Sequence, residues 1–406
     1  MSYRPKIRNI NIQPTTHEGQ PVFIMYDSLR LTEAMIALPQ FLGPVVLLCD
    51  GQHTISEMDT LLKSEYGLDL PHGTIEQVLE QFETALLLEG GHFEQTCQQL
   101  MADYHAAPFR QPALAGGSYP TEPHALQRLL QNYIAKVDPI TPLSANCRAI
   151  ISPHIDYPRG GHVYARVWAG AAEMVKQAEL VIILATDHNG GLGKLTLTEQ
   201  NYASPLGVLP TDKALVKQLA NILGPAAAYS EELHHLNEWS IELVFVWLQY
   251  IRQLHNPAPL AVVPILCGSF HHYMLGRADI TQADYLPPFI ELLQKEMRQR
   301  RTLIVASGDL AHLGPAFDGP PLSAADHAQM KLDDEILTRT IAQGNANQFF
   351  ELMKAGQYQR NVCGLSPFYL TLRLLEQSQG HVLSYDRCPA DNENSSYVSV
   401  GGLILE

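Results

Sequence analysis

Between residues 149 and 305, short runs of β-branched and aliphatic residues alternate with stretches of helical periodicity. This alternation restricts the possible folds of the chain more than any other feature. The runs are Ala149-Ile150-Ile151, 180–184, 260–266 and Leu303-Ile304-Val305, and the helical stretches fall near 163–176, 212–223, 241–254 and 284–299. Strands separated by helices predict an α/β domain with a mixed, largely parallel central sheet flanked by helices. A late run, Tyr397–Leu405, offers one more strand.

The residues just past each run carry the chemistry. Ile151 leads into Ser152-Pro153-His154, Leu184 into Ala185-Thr186-Asp187-His188-Asn189-Gly190, and Val305 through Ala306 into Ser307-Gly308-Asp309-Leu310-Ala311-His312. In open α/β sheets, ligands sit outside the carboxyl ends of the strands. Parallel neighbours would therefore gather three histidines and two aspartates in one cleft, and imidazole and carboxylate are ordinary ligands for divalent iron, zinc and copper. A single such histidine would more often be a hydrogen-bonded loop residue; equivalent placement at three strand ends is what favours a site.

Residues 15–105 have a different character. The run Pro44-Val45-Val46-Leu47-Leu48 ends at the turn dipeptide Asp50-Gly51. Thr54 and Glu57 form a capping box ahead of a helix with Ile55, Met58, Leu61 and Leu62 on one face. A second helix follows Thr74, with Ile75, Val78, Leu79, Phe82 and Leu86 as its stripe and Gly90-Gly91 as its stop. Two helices and then a hairpin wing suggest a small winged-helix domain over 1–105. Residues 106–113, with Pro108 and Pro112, read as an exposed linker to a domain spanning 114–406.

Composition limits the partners. A net charge of −15 argues against nucleic acid and anionic membrane surfaces. Neither a secretory signal nor an apolar run long enough to span a bilayer is expected. The six cysteines are scattered without a CxxC pair, which suits a reduced cytoplasm.

Seven stretches resemble the Memo family, related in fold to LigB-type extradiol dioxygenases. They are Ala115-Gly116-Gly117-Ser118-Tyr119-Pro120, Arg148 to His154, Leu184 to His188, Glu238-Trp239-Ser240-Ile241-Glu242, Val263 to Gly268, Ser307 to Gly314, and Val362-Cys363-Gly364-Leu365-Ser366-Pro367. The resemblance implies a metal site of His154, His188 and Cys363, with Asp309 and His312 beside it as acid/base groups or as supports of the ligands rather than as ligands themselves. Cys363 has a partial case of its own, since a helix beginning near Pro367 would stabilise a thiolate. If the segment after Ser307 turns helically, Asp309 and His312 share a face, and the carboxylate would raise the imidazole's pKa. Glu238 and Glu242 are four residues apart on one helix face. Glu242 is assigned to the cleft, whereas Glu238 is equally a solvated residue at a helix start capped by Asn237.

Trp239 stands where many members of that family have histidine, and Asp187-His188-Asn189 replaces a more usual Ser-His-His. His234 and His235, upstream, offer imidazoles that could compensate for that loss, but they read as surface residues. The resemblance implies an iron- or copper-dependent redox or oxygenase-like protein, zinc remaining open, that works with a radical-SAM protein and an AMMECR-type protein. The alternative is a non-catalytic peptide- or partner-binding protein using the same cleft. The N-terminal segment, through Leu48-Cys49-Asp50-Gly51-Gln52-His53-Thr54-Ile55-Ser56-Glu57 and the helix around 79–88, is similar to PqqD-like peptide-recognition domains; a small helical adaptor fits it equally.

Overall fold

The computed structural model describes residues 3–138, 147–254, 259–355 and 357–406. It divides into two compact units, Met1–Ala106 and Ala107–Glu406.

The first unit opens with an antiparallel sheet of β1 (Ile10–His17), β2 (Gln20–Asp27) and β3 (Met35–Pro39), in that order. Glu18 and Gly19, at φ 50° and 80°, make the tight connection that a twisted two-residue hairpin needs. Helices α1 (Gly43–Leu48), α2 (Ile55–Ser64), α3 (Thr74–Thr84) and α4 (Gly91–Ala106) come next. The strands thus precede the helices, whereas the sequence pattern suggests a hairpin after them. The aliphatic run at Val45 is helical because Pro44 suits a first turn. The Thr54–Glu57 capping box forms as expected. The second helix ends at Thr84, earlier than expected, where Leu86 turns to φ 57°; Gly91 opens α4 rather than stopping α3.

The second unit runs α5 (Pro123–Ala135), β4 (Ala149–Ser152), α6 (Tyr157–Gly170), α7 (Ala172–Gln177), β5 (Leu180–Thr186) and β6 (Leu195–Leu197). It continues through the hairpin β7 (Tyr202–Ser204) and β8 (Gly207–Leu209), then α8 (Lys213–Leu223), α9 (Pro225–Ala228), α10 (His234–Asn237) and α11 (Trp239–Gln253). Next come β9 (Ala261–Cys267), α12 (His271–Met274), α13 (Leu286–Gln299), β10 (Thr302–Ser307) and β11 (His312–Leu313). The chain closes with α14 (Ala324–Ala342), α15 (Ala346–Lys354), α16 (Leu365–Leu375), β12 (Gly380–Pro389) and β13 (Tyr397–Leu405).

The central sheet has the order β11-β13-β4-β10-β5-β9-β6, and β12 also pairs with β13. Neighbours among β4, β10, β5 and β9 are parallel, and β13 and β6 join antiparallel. The apolar runs are continuous because both faces of these strands are covered. Ile150, Val181, Ile183 and Val305 pack in one apolar layer with α6, α7 and α11. Ile151, Ile182, Leu184 and Ile304 pack in the other with α8, α13 and α16. Register then fixes the site: Ser307 lies opposite both Ser152 and Ala185, so β4, β10 and β5 finish at one edge.

The segment expected to be an exposed linker behaves otherwise. Arg110 is buried within the second unit and pairs with Glu242, so residues 107–113 are anchored there. Among the described residues, no helix is long and apolar enough to cross a membrane.

Candidate metal centre

Three strand ends and one helix start deliver the site. His154 follows β4 and its backbone N–H donates to Asp309 Oδ1 at 2.9 Å, joining the loops after β4 and β10. His188 follows β5. Cys363 precedes α16, whose N-cap is Gly364. Its loop is held by Thr186 Oγ1, which donates to the Cys363 carbonyl at 2.9 Å, and by the Gly364 N–H, which donates to the Asp309 carbonyl at 3.1 Å. Gly308 permits this approach, since a Cβ there would lie 2.4 Å from the Gly364 Cα.

His154, His188 and Cys363 each present a donor atom, all within 4.8 Å of one another. The Cys363 Sγ is 3.3 Å from His154 Nε2, and the two imidazole centroids are 4.9 Å apart. Asp309, His312 and Cys363 meet the same distance limit, so Cys363 belongs to both groups. Metal–ligand bonds of about 2.0–2.3 Å put donors roughly 3–4.5 Å apart, so the arrangement fits a metal ion. One thiolate and two imidazoles suit iron, copper or zinc.

The electrostatics agree. Burial alone would push the Cys363 thiol up, but the charge and hydrogen bond of His154, with a further bond from His188, bring it down to about 7. The Asp309 N–H also donates to its sulfur at 3.1 Å. For His188, burial favours the neutral ring, yet Glu238 and Cys363 override it and hold the pKa well above its ordinary value. Burial raises the Asp309 carboxyl.

His312 differs from expectation. The segment after β10 does not turn helically; His312 sits in β11, paired with Val398 of β13. Burial lowers its pKa, outweighing the opposite pull of Asp309. Both residues nonetheless line one cavity of about 410 Å³ with His154, His188 and Trp239. A smaller cavity of about 220 Å³ lies against His188 and Cys363, walled in part by Met274 and Met353.

Glu242, expected in the cleft, is not there. It is fully buried against Arg110, the backbone N–H groups of Ala113 and Leu114, and the Tyr119 hydroxyl, and so anchors an incoming segment. Of the two glutamates, Glu238 is the one at the site. It is the N-cap of α11 in place of Asn237, and it touches His188. Burial would raise its carboxyl, but His188 and backbone N–H donors hold it at about 2. A Glu just ahead of a long apolar helix was the available signal. His234 and His235 are not surface residues. The His234 side chain is 9% exposed and its Nδ1 meets Asp187 at 2.9 Å, while His235 is fully buried between Tyr202 and Thr196.

Comparison with known proteins adds ancestry. A family profile described as Memo-like protein matches residues 110–404. A MEMO1 family protein of Aquifex aeolicus is 22% identical over 408 residues, covering 99% of this chain and 100% of that protein. A MEMO1 family protein of Methanocaldococcus jannaschii is 27% identical over 274 residues, covering 66% of this chain and 87% of its own. A second from Aquifex aeolicus is 27% identical over 303 residues, covering 73% and 98%.

Proposed function

The chain belongs to the Memo-like protein family, and on that premise we propose that it is a metal-dependent redox protein of oxygenase-like type, with His154, His188 and Cys363 holding iron or copper. The convergence of those three donors carries the reading. When bound, such an ion supplies a Lewis-acidic, redox-active centre with open coordination positions. The chain's own residues do the rest. Asp309 fixes the His154 backbone. His312, kept neutral by burial, is the proton acceptor facing the larger cavity. Trp239 and Phe317 wall that cavity. Radical-SAM and AMMECR-type proteins are the proposed partners, and the cytoplasm the proposed location.

A second reading has one observation in its favour. β3 lies at an edge of the N-terminal sheet, an arrangement that accepts an added peptide strand. On that reading the chain is a peptide- or partner-binding protein and the cleft holds a ligand without turnover.

Metal analysis of protein purified without air tests the first reading, because thiolate ligands oxidise readily. One equivalent of metal is expected in the wild type, with loss in His154→Ala, His188→Ala and Cys363→Ala at unchanged helix and sheet content. Full occupancy in any variant removes that residue from the ligand set.

A further inference from the structure

His154 and His188 are not equivalent. The His154 ring has its Nε2 at Cys363, and its buried Nδ1 has no hydrogen-bond partner among the described residues. Its backbone N–H is bonded to Asp309 Oδ1, and the Asp309 carboxylate otherwise meets the ring only on its Nε2 side, at 3.8 Å. His188 is held by its ring. Its Nδ1 lies 3.0 and 3.1 Å from the two Glu238 oxygens, and its backbone N–H donates to Glu238 Oε2 at 3.1 Å. The adjacent residue, Trp239, stacks on the same imidazole at 4.3 Å between centroids and 21° between planes.

We propose that Glu238 and Trp239 act as a two-residue clamp that commits His188 Nδ1 to the carboxylate and leaves only Nε2 to face Cys363. Both are positioning residues, and the proposal rests on the metal-binding reading above. Glu238 cannot swing away, because as N-cap of α11 its Oε1 also accepts the Ser240 N–H at 3.0 Å, and its side chain is 3% exposed. The helix N-terminus favours its charge there. The indole covers one face of the ring and opposes rotation about the Cβ–Cγ bond. A carboxylate on the far nitrogen of a ligating imidazole fixes its tautomer and raises its basicity as a donor. His188 is thus built as the stronger, orientationally fixed ligand, and His154 as the weaker one.

Two readouts test this on the full chain. In metal-free, 15N-labelled protein, the His188 Nδ1 proton should appear as a protected ring resonance. It should persist in Glu238→Gln, which keeps an acceptor oxygen, and vanish in Glu238→Ala. In titrations with Co(II), Glu238→Ala should bind ~10–100-fold more weakly than wild type, and Glu238→Gln should recover part of the loss. Trp239→Ala should keep the ring proton but alter the cobalt ligand-field bands. Wild-type cobalt affinity together with a retained Nδ1 proton in Glu238→Ala would overturn the clamp, and unchanged bands in Trp239→Ala would remove the indole from it. Should the alanine variant fail to fold, loss of the Nδ1 proton in a folded Glu238→Gln would equally overturn it. A wild type that binds no cobalt defeats the metal reading instead, and the ring proton alone then decides the clamp.

Discussion

Arg110 and Glu242 form an ion pair in which neither side chain reaches solvent. Arg110 also donates from Nε to the His235 carbonyl at 2.7 Å and from Nη2 to the Glu238 carbonyl at 3.2 Å, so one guanidinium ties the start of the unit to α11. Removing one partner strands the other as an uncompensated buried charge. Arg110→Ala and Glu242→Ala should each lose about 3–5 kcal/mol of stability in denaturant unfolding. Metal bound per folded molecule should stay at the wild-type level, because neither residue touches the donors. A fragment beginning at Gln111 should show the same deficit relative to one beginning at Ala107.

That pair also shows where sequence reasoning stops. His154 and His188 were legible because a parallel sheet covered on both faces leaves a plain signature, and its strand ends are where side chains gather. Cys363 was legible mainly by resemblance, with a helix start as its one local signal, since its loop meets Asp309 across 54 residues of sequence. Arg110 lies in a proline-flanked segment whose composition is the same whether it is tethered or free. Helical spacing put Glu238 and Glu242 on one face, but it does not say which end of that face meets the cleft. His312 was expected in a helical turn, and pairing with Val398 of β13 makes it strand instead.

His235 offers a test by pH. It is held neutral, with Nδ1 at 2.5 Å from the Tyr202 hydroxyl and Nε2 at 3.2 Å from the Thr196 carbonyl, and burial lowers its pKa to about 3. The unfolded chain takes up a proton on this ring below about pH 6.5, which the folded chain refuses until about 3. Its contribution to stability is therefore whole above 6.5, falls as pH drops through that window, and levels off below 3. The slope is about 1.4 kcal/mol per pH unit. His235→Gln should lack this component, so the stability difference between wild type and variant should shrink across the window. A difference independent of pH would show that the ring titrates alike in the folded and unfolded chains.

Cys363 should stand apart from the other cysteines in reactivity. With a pKa of about 7, it should alkylate in metal-free protein with a midpoint near neutrality. Burial pushes Cys49, Cys147 and Cys388 up to about 12, so they should lag far behind at the same pH. Peptide mapping after a short iodoacetamide pulse reads this directly. Added metal should protect Cys363 selectively if its sulfur is a ligand, and unchanged labelling with metal bound would exclude it.

His312 separates the enzyme from the binding module. It shares the larger cavity with Asp309 and His154, and the Asp309–His312–Cys363 group places it against the thiolate. Burial lowers its pKa, so near neutrality the ring can accept a proton from a molecule in that cavity. If the protein turns over a substrate, His312→Ala should retain metal yet lose ~10²–10⁴-fold in rate, the usual worth of a positioned proton acceptor. If it only binds, the same change should alter ligand affinity modestly and leave nothing else to measure. Oxygen consumption with catechols and thiols, recorded beside metal content for both proteins, distinguishes the cases. Loss of metal in the variant would make His312 a ligand rather than a proton carrier. Turnover that survives the change undiminished would move the proton elsewhere, with Asp309, whose carboxyl burial raises, the next group to substitute.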